Sequence, residues 1–229
     1  MPPRLGRYLV LDRLGHGGMV EALRVRSATA WAKLDVGQFK AVMQEAAGLR
    51  EEAEALNYAP LLAGILRLEG VLTDNIGDYK AAEAALVRAL ITADAAGDDE
   101  LRARIQLDLT LVVGLHQARF DEGVRFAELT RGTLSRLHDA GPLEGMVEGR
   151  LAEMALQRGE YDRAALHIGR SAELQRRIHG EASREYAHAV ATRGTLQFFR
   201  GEFPGALGDY QEAVALYEDL YGAHHPILG

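Results

Sequence analysis

The chain has 229 residues, with 26 Lys and Arg against 33 Asp and Glu, a formal charge of −7 and no cysteine. Its 48% apolar and 26% charged residues suffice for a packed core and exclude intrinsic disorder. Without cysteine there is no disulfide framework, thiolate nucleophile or Cys-ligated metal, and the acidic balance argues against a nucleic-acid partner, whose phosphates require clustered Lys and Arg.

In chain order, the opening differs from everything after it. Residues 7–19 read Arg-Tyr-Leu-Val-Leu-Asp-Arg-Leu-Gly-His-Gly-Gly-Met: an apolar, strand-like run from Tyr8 to Leu11, then a cluster of Gly15, Gly17 and Gly18. From residue 20 the pattern is helical, predicting helices near 20–34, 38–56, 60–75, 78–96, 99–117, 120–138, 143–157, 160–178, 183–199 and 202–221. Asp98 or Asp99 is placed to cap the helix that begins near Leu101.

Ten helices make five units, because a short motif recurs where the second helix of each pair opens. Gly37-Gln38-Phe39-Lys40-Ala41, Gly77-Asp78-Tyr79-Lys80-Ala81-Ala82, Gly159-Glu160-Tyr161-Asp162-Arg163-Ala164 and Gly201-Glu202-Phe203-Pro204-Gly205-Ala206 share a glycine, an aromatic and a small residue. Ala118-Arg119-Phe120-Asp121-Glu122-Gly123 is a fifth copy with its small residues exchanged, and the copies recur every 40 to 42 residues. Small and apolar residues then continue at steps of four and three, as in Ala82, Leu86 and Ala89, so they lie on one helix face. The turn aromatic is expected to wedge between the two helices.

This pattern resembles the tetratricopeptide repeat, in its long-period, kinesin-light-chain-like form. The resemblance covers about residues 20–229, with Gly70, Gly194, Ala152 and Leu111 at the small position of the first helix of their units. It implies an all-α, right-handed superhelix of about five helix-turn-helix units whose first-helix residues line a concave binding surface. Carried onto this chain, the family's groove positions are Arg67, Asp74 and Asn75, then Asp108 and His116, then Arg150, Glu153 and Gln157, then His188 and Thr192. The mixed charges imply a polar peptide or protein partner.

Residues 7–19 resemble the first strand and glycine-rich loop of bacterial serine/threonine protein kinases, of the form Gly-x-Gly-x-x-Gly-x-Val. Gly15 and Gly17 match its first two glycines, but Val20 stands at the third and Ala22 replaces the valine. The rest of a kinase is missing: the only lysine candidate, Lys33, falls in the first repeat, His138-Asp139 lacks the intervening arginine and downstream asparagine, and Asp-Phe-Gly is absent. The resemblance implies a vestigial segment, 1–19, with an inactive ATP loop at Gly15, Gly17 and Gly18, ahead of a repeat domain, 20–229.

Other residues divide between packing and function. Trp31 reads as core between the first two helices, with ligand stacking as the alternative. His224-His225 reads as an inter-repeat turn rather than a metal pair, and His138-Asp139 as the end of a helix rather than a catalytic dyad. Glu51-Glu52 and Asp98-Asp99-Glu100 read as solvated charges, and Phe198, Phe199, Phe203 and Tyr210 as core, in part exposed. The last helix should expose apolar residues where a further repeat would begin, which predicts self-association or poor solubility through that end.

The expected function is therefore a non-enzymatic interaction scaffold in bacterial signalling, with no cofactor or metal and with no nucleic-acid or membrane partner. Cytoplasmic location is expected, since no apolar run approaches the roughly 20 residues of a membrane span and Met-Pro-Pro-Arg-Leu-Gly-Arg lacks a signal-peptide core. The alternative is a regulatory fragment of a serine/threonine kinase whose catalytic body is missing.

Overall fold

The computed structural model describes residues 6–222, with side chains from residue 17 onward. Among them the chain is all α-helical: α1 Gly6–Asp35, α2 Phe39–Leu56, α3 Ala59–Asn75, α4 Tyr79–Ala96, α5 Asp99–Leu109 continued by a π-helical stretch Thr110–His116, α6 Phe120–Leu134, α7 Gly141–Gln157, α8 Tyr161–His179, α9 Arg184–Phe199 and α10 Phe203–Tyr221. The helices pair as the repeat pattern requires, and they fall into two compact units, Met1–Leu101 and Arg102–Gly229.

The first unit's core joins α1, α2 and α3 through Leu23, Ala30, Val42, Leu49, Ile65 and Leu68, with Trp31 and Phe39 packed against it. In the second, Leu107, Leu115, Ala127, Val147, Leu151 and Met154 form one cluster and Ala155, Ala164, Ile168 and Leu196 another. The turn aromatics Phe39, Tyr79, Phe120 and Tyr161 are half-buried, as wedges between helices must be.

Local chemistry sets the helix ends. The motif glycines Gly37, Gly77, Gly159 and Gly201 take positive φ of 73° to 85°, the left-handed conformation that ends a helix and that glycine adopts without a Cβ penalty. Ala118 occupies the same place at φ 54°, a strained conformation for alanine. Asp98 caps α5 by accepting a hydrogen bond from the Leu101 amide at 3.0 Å.

Small residues decide how closely paired helices approach. A Cβ at Gly70 would stand 2.6 Å from Leu86 Cγ, and one at Gly194 3.1 Å from the Tyr210 ring. In the third helix pair the contact is tighter: a Cβ at Gly123 would lie 2.4 Å from the Gly114 Cα. Gly114, not Leu111, is therefore the small first-helix residue of that pair. It sits within the π-helical stretch, whose wider turns are marked by the Gln117 amide bonding back to the Val112 carbonyl at 3.0 Å. The sequence expectation assumed regular α-helical phase, which the π-helix shifts.

Three further expectations are corrected. Residues 6–35 form one α-helix where a strand at Tyr8–Leu11 and a loop at Gly15, Gly17 and Gly18 were expected. A lone strand has no partner for its backbone hydrogen bonds, whereas a helix satisfies them internally, so those glycines offer no cradle of free amides to a phosphate. His138 and Asp139 lie in the loop beyond α6, which ends at Leu134, rather than at a helix terminus. Phe198, Phe199 and Phe203 are exposed, Phe203 by 59%, and pack edge to face on one another instead of filling a core. Only Tyr210 of that group turns inward, donating from its hydroxyl to Thr195 Oγ1 at 3.0 Å. His224-His225 and the end of the chain lie outside the described residues.

Candidate functional site

The polar residues expected on the first helices do not all assemble. In the first unit, Arg67 of α3 lays its guanidinium over the Trp31 ring of α1, 4.7 Å from the centroid. Trp31 is thus both the edge of the core and a stacking platform, a cation–π contact that orders both side chains. Asn75 turns back on its own helix, donating from Nδ2 to the Val71 carbonyl at 2.8 Å, and Asp74 is half-buried beside it. In the second unit, Asp108 lies half-buried on α5 and His116 is exposed at the end of the π-helical stretch.

Arg150, Glu153 and His188 do come together. Arg150 and Glu153 are one turn apart on α7 and share a face, and α9 packs alongside. Arg150 donates to Glu153 Oε2 at 2.9 Å, while Glu153 Oε1 meets His188 Nε2 at 2.7 Å. Burial alone would raise the Glu153 pKa, but the Arg150 charge and the His188 hydrogen bond outweigh it and hold the carboxyl down to about 2. Thr192 lies on the next turn of α9, its hydroxyl donating to the His188 carbonyl at 2.8 Å. Gln157 is exposed one turn beyond Glu153. The result is a fixed polar surface tying α7 to α9.

A second carboxylate, which the sequence reading missed, anchors the other side of α7. Glu148, only 5% exposed, is bonded by Arg131 of α6 and by His167 Nδ1 of α8 at 2.7 Å, and Arg131 also reaches Glu144 at 3.0 Å. Burial opposes its ionisation, yet the His167 hydrogen bond and the Arg131 charge keep its pKa below the ordinary carboxylate value. This network joins α6, α7 and α8 and holds α7 in place for the Arg150 and Glu153 side.

Beside the Arg150 cluster lies a cavity of about 330 Å³ bounded by α7, α8, α9 and α10. Its walls include Gly145, Arg150, Gln175, Arg184, Glu185 and Tyr217. Burial raises the Tyr217 pKa, against the opposing charge of Arg184. Apart from Arg150 and His188, the sequence reading assigned none of the cavity's residues to a binding site. The available signal was a pair of four-residue steps: Gly145 and Gly149 on a first helix, Ser171 and Gln175 on the next. Among the described residues no three His, Cys, Asp or Glu converge as metal ligands, and no helix is long and apolar enough to cross a membrane.

The fold is an all-α array of helix-turn-helix repeats of the tetratricopeptide type. Residues 195–227 match the family model of the tetratricopeptide repeat. The chain as a whole is similar to the crystal structure of BtubC (BKLC) from P. vanneervenii, at 20% sequence identity and a TM-score of 0.68, over 95% of this chain and 87% of that one. No curated protein matches it in sequence.

Proposed function

We propose that the chain is a non-catalytic scaffold that binds a polar, acidic segment of a partner protein on the α7 and α9 face of its second unit. The observation that carries this is the Arg150–Glu153–His188 cluster. Three side chains assigned to a binding groove are held by mutual hydrogen bonds before any partner arrives, so less side-chain entropy is lost on binding. Arg150 uses one of its five N–H donors in the hydrogen bond to Glu153, leaving others for a ligand. The neighbouring Arg184 adds positive charge in a chain that is acidic overall.

The test is an array of random heptapeptides with one position fixed as Asp or Glu, and a matched array fixed as Asn or Gln, probed with the full chain. Acidic members should be retained, with retention falling as salt rises. A variant carrying both Arg150→Ala and His188→Ala should lose them. Equal retention by wild type and variant would remove this face as the binding surface.

Self-association belongs to the same reading. Helix α10 leaves Phe203, Leu207 and Val214 exposed, a surface suited to a second copy of the chain. The kinase-fragment alternative draws on the sequence of residues 7–19 alone, and the helical conformation of that segment lends it no support. Signalling in the cytoplasm remains the setting that fits an acidic interaction scaffold best.

A further inference from the structure

One polar group in the cavity beside Arg150 lacks a partner. Gln175 of α8 is 2% exposed, and its Oε1 accepts no hydrogen bond. A buried acceptor left unpaired costs stability, so it marks a place where a donor from outside is expected. The surroundings are shaped to keep the amide there. A Cβ at Gly145 would stand 2.7 Å from Gln175 Nε2, so only glycine on α7 leaves room for it. Ser171, one turn before Gln175, satisfies the Gly145 carbonyl with a hydroxyl hydrogen bond of 2.8 Å.

The charges point to the rest of the ligand. Arg150 is already paired with Glu153, whereas Arg184 lines the cavity beside Glu185, its one lining carboxylate, and no ion pair of Arg184 is present among the described residues. The volume, about 330 Å³, lies at the small end of ligand pockets and suits one or two residues of an extended chain rather than a folded surface. We infer that the cavity seats an acidic residue of a bound peptide, its backbone N–H donating to Gln175 Oε1 and its carboxylate lying against Arg184. This rests on the peptide-scaffold reading and adds to it the subsite and the group recognised there.

The experiment measures anisotropy of a labelled heptapeptide, the best-retained acidic member of the array, with the full chain and two variants. Gln175→Leu keeps the side chain's bulk and removes the orphan acceptor. Peptide affinity should fall roughly tenfold while the melting temperature holds or rises, because a buried unpaired oxygen has gone. Arg184→Gln changes an exposed residue and should erase the preference for Asp and Glu over Asn and Gln. Unchanged affinity in Gln175→Leu, or a clear drop in its melting temperature, would show that the amide serves packing and overturn the inference. An undiminished acidic preference in Arg184→Gln would overturn it even if Gln175→Leu fails to fold. If both variants bind as wild type while Arg150→Ala with His188→Ala does not, the α7 and α9 face stands and only the cavity is dismissed. A wild-type chain that retains no peptide rejects the peptide-scaffold reading itself.

Discussion

Glu153 on α7 and His188 on α9 stand 35 residues apart in sequence and 2.7 Å apart in the fold, joined carboxylate to imidazole. Their separation is close to one repeat, so the bond ties the first helix of one unit to the first helix of the next. With Arg150 on the other oxygen, both Glu153 oxygens are engaged, and the carboxylate serves as the counter-charge that fixes Arg150 and His188 on the proposed binding face.

The pH dependence of folding follows from that arrangement. The Glu153 pKa is lowered from 4.5 to about 2 in the folded chain, so its contribution to stability is present above about pH 4.5 and is lost as pH falls from there toward 2. Glu153→Gln should cost on the order of 2–3 kcal/mol at pH 7. In urea unfolding the gap between wild type and variant should narrow markedly by pH 3; a gap independent of pH would contradict the assignment.

The close approach of Gly114 and Gly123 predicts unequal effects of adding a methyl group. Gly123→Ala would place its Cβ 2.4 Å from backbone, which cannot rotate away, and should destabilise by roughly 2–4 kcal/mol. Gly132→Ala, on an exposed face of α6 with open space around the site, should stabilise by up to about 1 kcal/mol through helix propensity. Thermal melts of the two variants should move in opposite directions.

Ala118 holds a left-handed conformation that the other units assign to glycine. Ala118→Gly should relieve it and raise stability by about 0.5–1 kcal/mol, partly offset by the greater freedom of glycine in the unfolded chain. A denaturant midpoint that fell in this variant would show that the turn is unstrained.

Trp31 is the single tryptophan, so its fluorescence reports on the first unit alone. Arg67→Ala removes the guanidinium stacked over its ring and should shift the emission to the red as water reaches the indole, at a cost of about 0.5–1 kcal/mol. An unchanged spectrum would mean that the stacking is not maintained in solution.

Much of this fold was legible because its signals are local. A glycine that ends a helix in the left-handed region, an aromatic at the turn and a small residue at the crossing each depend on a few neighbouring residues, so Gly77, Tyr79 and Ala82 reveal their unit without reference to the rest. The sequence by itself determined the period, the approximate helix positions from residue 20 onward and the helical-repeat class. Only the tertiary structure decided what depends on how one helix is rotated against another. It replaced the strand at Tyr8–Leu11 with helix α1, since a strand needs a partner that no local pattern supplies. It moved the third helix pair's small position from Leu111 to Gly114 through a π-helical shift of phase. Of ten residues assigned to a groove it joined Arg150, Glu153 and His188 and sent Arg67 to Trp31. It also enclosed Gln175 without a partner, because side-chain pairing across helices is set by packing and not by position along the chain.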